Sequence, residues 1–526
     1  MAASWKLFLG LVVLGLYSTS INSYRILGFF PFPIYSHQVP FFRVFDELVT
    51  RGHDITLVAG FPLSDTDPKL YKYIPIPFLL KFNDAKGRSP LLFAHKSTAK
   101  TVNHYSNFCL TSLQNILTTR EVTEFYRTDN GTYDLIISEI TFCGEPHAAL
   151  GHKYRGVPVI NFQPLGYRAA VFSLYGNLLM PNIMPDVREP FTDRMTFWQS
   201  LDNMYLTLWD LWDMYMSYLP QLEEMMRANL HYPGSESRPD LVSLLHSMSL
   251  TLVEYDPAIL GVAFPIAPNL KFTGGLHLRP GELLSADLES FMNDLHYPGS
   301  ESRPDLVSLL HSMSLTLVEY DPAILGVAFP IAPNLKFTGG LHLRPGELLS
   351  ADLESFMNAT PHVAMPTGHR NCKLFITHGG IHSSMEAVYH GVPVVMMPGF
   401  SDQHQNCKLM EEKGMGLITP HETITGDILY ITIREVLNNP RYRDTVGRLS
   451  KQVRSLPYSN LDQAVRWAEH VAANKGVLGY TPAAQQTSVM RLLGVELWVI
   501  WTILVVLVVV IVMSLIRCLR RCCRKK

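Results

Sequence analysis

The chain has 526 residues, enough for two α/β domains that each bury a core, together with targeting segments. Apolar residues make up 47% and the formal net charge is -2, so no basic surplus exists to hold nucleic acid, and a nucleic-acid partner is not expected. Of the seven cysteines, Cys109, Cys143, Cys372 and Cys407 lie in the body and Cys518, Cys522 and Cys523 in the tail. None forms a C-x-x-C pair, so the body cysteines read as buried thiols or as disulfide partners whose pairing stays open.

Residues 1–23 carry Lys6, a short apolar core and a small-residue exit, the pattern of a cleaved secretory signal peptide rather than an anchor. The run Ile26-Leu27-Gly28-Phe29-Phe30 predicts a buried strand closed by Pro31 and Pro33. Phe41, Val44, Phe45 and Leu48 recur at helical spacing, predicting a helix from about His37 to Thr50 that Arg51-Gly52-His53 stops. Ile55 to Ala59 predicts the next strand, which makes a βαβ unit and a doubly wound sheet. Asp65-Thr66-Asp67 has the letters of a metal-binding D-x-D pair but lies between Pro62 and Pro68, where a surface turn is expected. Leu135-Ile136-Ile137-Ser138 predicts another strand, ending at Glu139. Residues 165–226 are rich in Met, Trp and Tyr and suit an apolar acceptor pocket, a membrane-facing surface or simple core.

Residues 230–293 then recur without a change as 295–358, a period of 65 residues. Solenoid repeats are shorter, more numerous and diverged, so an error-free double copy points to a duplicated exon or an error in the gene's assembly. Two identical copies cannot fill one place in a core, and the second is expected to be a looped-out, ill-ordered insert. After it, Leu374-Phe375-Ile376-Thr377 predicts a strand, 383–390 a helix and 392–397 a further strand, a second α/β region. Residues 497–516 form an uncharged run long enough to span a bilayer, led by Trp498 and Trp501 and followed by a basic tail, 517–526. That charge stays cytosolic, which makes the body lumenal and the triplets at Asn130 and Asn358 usable as glycan acceptors.

Two clusters carry chemistry. His37 stands where the first strand feeds the first helix, facing the cleft beyond the strand ends, and Glu139 ends a strand of its own. Such a His removes a proton from a hydroxyl when a carboxylate holds its other ring nitrogen. The plainer reading, a helix-capping His and an unrelated Glu, stays open on spacing alone. In the second cluster a strand ends in His378-Gly379-Gly380, with His382, Ser383 and Glu386 in the helix that follows and Asp402-Gln403 after the next strand. Free backbone N–H groups at a helix start suit a diphosphate, a carboxylate one turn on suits ribose hydroxyls, and the Asp-Gln pair suits a sugar.

The run FITHGG with EAVYHGVPVV and DQ, supported by GFFPFPIYSHQ, VTRGHDITLVAGFP, PNLKFTGGLH, EVLNNPRYRD and NLDQAVRWAEHV, closely resembles the UDP-glycosyltransferases, in particular the animal and insect membrane-bound branch. The resemblance implies a GT-B arrangement, two Rossmann-like domains facing a cleft, with an acceptor domain and linker over 24–293, a partial UDP-sugar domain over 359–490 and a single C-terminal transmembrane helix. It implies inverting transfer of a sugar, glucose by default, from a UDP-sugar to a small lipophilic hydroxyl, without cofactor, metal or covalent intermediate. It makes His37 the general base and Glu139 its supporting acid, where the family more often has Asp. His378, Gly379, Gly380, His382 and Ser383 would meet the diphosphate, Glu386 the ribose, and Asp402 with Gln403 the sugar. Residence in the endoplasmic reticulum membrane follows from the same likeness, since the tail lacks a clear retrieval signal, and homo-oligomers are left open. The second copy stands where the family has a strand, a helix, a glycine turn and a W-x-P-Q element that reads uracil; Thr360, His362 and Val363 occupy the last of these positions. Losing a stacking aromatic costs about 1–3 kcal/mol. An inactive membrane glycoprotein is therefore the alternative.

Overall fold

The computed structural model describes residues 23–76, 98–257, 266–278, 372–419, 424–456, 459–477, 502–514 and 517, with breaks at 33, 64 and 400, and the backbone of 316–318 and 335–337. All of the expected signal peptide, 1–23, except Ser23, together with Asn358 and residues 359–371, lies outside them. Two parallel sheets organise the chain. In the first, β1 (Arg25–Phe30) leads through α1 (Tyr35–Thr50) to β2 (Asp54–Ala59), the βαβ unit read from the apolar spacing, with the helix beginning two residues early. β3 (Lys72–Pro75), β4 (Leu135–Ser138), β5 (Val159–Gln163), β6 (Leu250–Val253) and β7 (Leu270–Phe272) complete the order β3-β2-β1-β4-β5-β6-β7. The chain order reverses between β1 and β4, and ligands of doubly wound sheets bind beyond the carboxyl ends at such a switch. β1 and β4 pair from Ile26↔Leu135 to Phe29↔Ser138, so their last residues end side by side.

The second sheet has the order β12-β11-β10-β8-β9: β10 (Leu374–Thr377) and β11 (Val394–Met396) were expected from the sequence, and β12 (Gly416–Ile418) was not. Its other two strands, β8 (Thr316–Val318) and β9 (Leu335–Phe337), belong to the second copy of the duplicated segment. The pairing Thr316↔Leu335 repeats Thr251↔Leu270 of the first copy, and β8 also pairs with β10 through Phe375↔Leu317. The expectation of a looped-out insert does not hold for these six residues. Identical letters give an identical parallel strand pair, and the pair lies beside β10 because β6 and β7 already occupy the first sheet.

Helices cover the sheets. α2 (Thr98–Leu117) and α3 (Phe197–Asp213) belong to the first, while α4 (Ile381–His390) follows β10 and α5 (Gln403–Glu412) follows β11. The long helix α6 (Asn460–Asn474) returns to the first sheet: Ala464, Val465, Ala468 and Val471 are buried with Phe41, Phe45 and Leu48 of α1. Arg51, just past α1, meets Asp462 at 2.7 Å and Glu469 at 3.2 Å on the same helix. Asp65-Thr66-Asp67 forms the turn expected of it, with Asp65 paired to Arg43 and Asp67 capping a short 3-10 helix, Pro68–Leu70. Residues 502–514 are helical with exposed apolar side chains. The expected span 497–516 extends past them at both ends, and among the described residues no helix is long and apolar enough to cross a membrane.

Candidate functional site

His37 sits in the first turn of α1 and Glu139 directly follows β4, so the neighbouring strand ends bring them together. His37 Nδ1 lies 2.8 Å from Glu139 Oε1, with the imidazole 12% and the carboxylate 2% exposed. The Phe142 ring packs edge-on against the imidazole, 4.5 Å between centroids, and limits its rotation. Burial pushes the Glu139 carboxyl above its ordinary range, and the neighbouring His37 opposes that shift. The turn that carries His37 is held by Gln38, whose amide donates to the carbonyls of Phe30 at 3.1 Å and Phe32 at 2.7 Å. Cys143 closes the Glu139 loop onto α2 through a disulfide with Cys109, a pairing that the sequence left open. Cys372 and Cys407 are buried free thiols.

The corner between β10 and α4 is built from its own hydrogen bonds. The Gly379 N–H donates to Thr377 Oγ1 at 3.1 Å, and the Asn406 amide donates to the Gly379 carbonyl at 3.1 Å and to Asp402 Oδ2 at 2.7 Å. Gly379 has φ +79°, and a Cβ on it would lie 2.1 Å from Cys407 Sγ, so only glycine fits. Ser383, expected at a diphosphate, donates its proton to the Gly380 carbonyl at 3.0 Å and accepts from Thr377 at 2.9 Å. Gln403 accepts from the Gly399 N–H at 2.8 Å. Glu386 is buried with Oε1 3.6 Å from His277 Nε2. Burial raises the Asp402 carboxyl, while Asn406, His378 and His37 pull the other way. Burial lowers the His382 imidazole well below its ordinary range, reinforced by His277, His37 and His378. His37 thus lies within electrostatic reach of Asp402 and His382.

Several contributors were not legible. Glu254, just after β6, and His277, in the turn after β7, reach the second domain at His382 and Glu386. Both lie in the first copy of a segment whose exact repetition concealed any site signal. The Gln405 amide, one helical turn into α5, donates to the Asp186 carbonyl at 3.0 Å and so ties the two domains beside Asp402. A small cavity lined by Tyr105, Thr141, Gln163, Arg168, Arg188 and Ser401 lies between the Glu139 loop and Asp402. Its two arginines are already committed, since both bond Asp210, at 2.7 and 2.8 Å. Of residues 165–226, one part lines this cavity and another faces outward: α3 exposes Phe197, Trp198, Leu201, Tyr205 and Trp212. The positions of Thr360, His362 and Val363 lie outside the described residues.

The chain is similar to known proteins along most of its length. The family model described as UDP-glucoronosyl and UDP-glucosyl transferase matches residues 31–299 and 360–526, leaving unmatched a stretch that nearly coincides with the second copy. The UDP-glycosyltransferase UGT5 of Dactylopius coccus is 29% identical over 477 residues, 86% of this chain and 84% of that protein. Human UDP-glucuronosyltransferase 2B7 is 26% identical over 502 residues, 90% of this chain and 89% of that protein. Among solved structures, the glycotransferase of kitacinnamycin aligns with a TM-score of 0.49 at 16% identity, over 86% of this chain and 99% of that one. With most of its length matched by the family model, the chain belongs to the UDP-glucoronosyl and UDP-glucosyl transferase family and is a UDP-glycosyltransferase.

Proposed function

We propose that this enzyme transfers glucose from UDP-glucose, with inversion, to the hydroxyl of a small lipophilic acceptor, and that His37 is the general base. The observation that carries this reading is the 2.8 Å contact of His37 Nδ1 with buried Glu139. In this reading the carboxylate accepts from Nδ1–H, which leaves the Nε2 lone pair for the acceptor proton. The acceptor oxygen then bonds to the anomeric carbon as the bond to the diphosphate oxygen breaks, and UDP leaves with that electron pair. Backbone amides at the start of α4, with His378, would stabilise the charge that develops on the diphosphate. No metal or covalent intermediate enters the scheme. Glu386 would hold the ribose, and Asp402 with Gln403 the sugar hydroxyls.

The same proposal sets the body in the lumen of the endoplasmic reticulum, anchored by 497–516. A Cys109–Cys143 disulfide and the exposed Asn130 triplet suit an oxidising, glycosylating compartment. An inactive glycoprotein is the competing reading, favoured by Thr360, His362 and Val363 standing where the family reads uracil. UDP release by the purified full chain, with UDP-glucose or UDP-glucuronic acid and a phenolic acceptor, decides between them. Activity is expected with UDP-glucose, reduced about 10²–10⁴-fold in His37→Ala. Equal rates in the two proteins would remove the base assignment, and no release with either donor would favour the inactive reading.

A further inference from the structure

Three potential ligands meet at the seam between the two sheets. Glu254 Oε1 is 3.4 Å from His277 Nδ1 and 3.8 Å from His382 Nε2, and one donor atom from each residue lies within 4.8 Å of the others. The Glu254 carboxylate is wholly buried, and the His277 and His382 side chains are 6% and 18% exposed. Hydrogen bonding does not account for the cluster. Glu254 Oε1 accepts from the Gly275 N–H at 3.0 Å, but Glu254 Oε2, His277 Nδ1 and His382 Nε2 are buried without a hydrogen-bond partner.

The other nitrogen of His277 leaves Nδ1 to a second proton or to a metal ion. Nε2 lies 3.3 Å from the His382 carbonyl and 3.6 Å from Glu386 Oε1, both acceptors, so it carries the proton. With that proton alone, the Nδ1 lone pair faces a buried carboxylate oxygen, although Glu254 and Glu386 favour a second proton on the ring against its burial. Two acceptors facing one another there repel unless a proton or a metal ion lies between them. An imidazole held through its second nitrogen by a carbonyl and a carboxylate also has the outer-shell pattern of a metal ligand.

Geometry and donor type narrow the ion. Tetrahedral zinc, with ligands at about 2.0–2.1 Å, separates neighbouring ligand atoms by about 3.4 Å, close to the two distances measured from Glu254. Two imidazoles and one carboxylate suit zinc better than calcium or magnesium, which take oxygen ligands in larger number. We propose that Glu254, His277 and His382 form an interdomain site for Zn2+, two ligands from the first domain and one from the second, which ties the domains together. His382 and Glu386 are shared with the donor side of the proposed transfer site, so the test uses metal ions alone and no sugar nucleotide.

The full chain, stripped of metal with a chelator, is titrated with Zn2+ against a chromophoric competitor and separately with Co2+. One equivalent of Zn2+ is expected to bind the wild type and raise its thermal midpoint, with Co2+ giving the visible absorption of tetrahedral coordination. Glu254→Gln and His382→Asn keep side-chain size close to the original. Each is expected to weaken Zn2+ at least 10-fold and to abolish both the midpoint shift and the Co2+ band. Equal binding by wild type and both variants would assign the metal to surface histidines and overturn the proposal. Absence of a stoichiometric site in the wild type would overturn it too, and would leave a second proton on His277 as what lies between Nδ1 and Glu254.

Discussion

At the scale of single residues, the hydrogen bond from His37 to Glu139 lets the role of the carboxylate be tested apart from that of the base. Glu139→Gln keeps shape but removes the charge that holds one tautomer and stabilises an imidazolium. A loss of about 10²–10⁴-fold in kcat is expected, with KM for the acceptor little changed, and partial recovery in Glu139→Asp. An unchanged kcat in Glu139→Gln would sink the dyad. This pair was legible because both residues stand at strand ends, where topology alone decides which side chains meet. Ser383 was less so: its place at a helix start was clear, but that its proton goes to the Gly380 carbonyl depends on the bend of the β10–α4 corner. His147 supports a second prediction. It is buried with Nδ1 2.9 Å from the Tyr126 hydroxyl and its ring 4.8 Å from that of Phe29, and burial lowers its pKa from 6.5 to about 3. The unfolded chain thus binds one more proton between those values, so this contribution is complete above pH 6.5 and is lost as pH falls toward 3. Between pH 7 and pH 5 the loss is about 2 kcal/mol. Urea midpoints should fall less over that interval in His147→Gln, which does not titrate; equal falls would show that other groups dominate.

At the scale of elements, the loop from Glu139 to Cys143 stays in place because it is tied at both ends. β4 holds one end, and the disulfide from Cys143 to Cys109 in α2 holds the other across a sequence separation of 34. Closing a loop of that length stabilises by about 3–5 kcal/mol in the chain-entropy account. Cys109→Ser is therefore expected to lower the thermal midpoint, and also kcat, because Phe142 within the loop braces the His37 ring. A lowered midpoint with normal kcat would limit the disulfide to stability. The parallel strands and their helices were legible from apolar spacing, since short β-branched runs and helical stripes differ in period. The partner of Cys109 was not, because the residues between it and Cys143 carry no periodic signal for a contact between a helix and a loop. The packing of α6 on α1 was hidden as well: Ala464, Val465, Ala468 and Val471 show an apolar face but not which of two sheets it covers.

At the scale of the whole molecule, the duplicated segment decides whether the second sheet is a stable unit. Read as a sequence, the second copy looked superfluous, and the family model passes over residues 300–359. In the fold, its strands β8 and β9 cover the edge of β10, the strand that leads into the His378-Gly379-Gly380 corner. A parallel strand is ordinarily buried, and stripping one side of β10 would leave unpaired backbone groups and an apolar edge open to association. The first copy cannot replace the second, because β6 is paired with β5 and β7 with β6 in the other sheet. Excision of 295–358, joining Asp294 to Ala359, therefore distinguishes a structural segment from a passive insert. If the copy is structural, the shortened chain should melt at a lower temperature, aggregate more readily and lose protection from amide exchange in β10 while β1 and β4 remain protected. If the copy is passive, the shortened chain should match the full one in midpoint and in exchange at β10, and the pairing of β8 with β10 would then contribute nothing to stability.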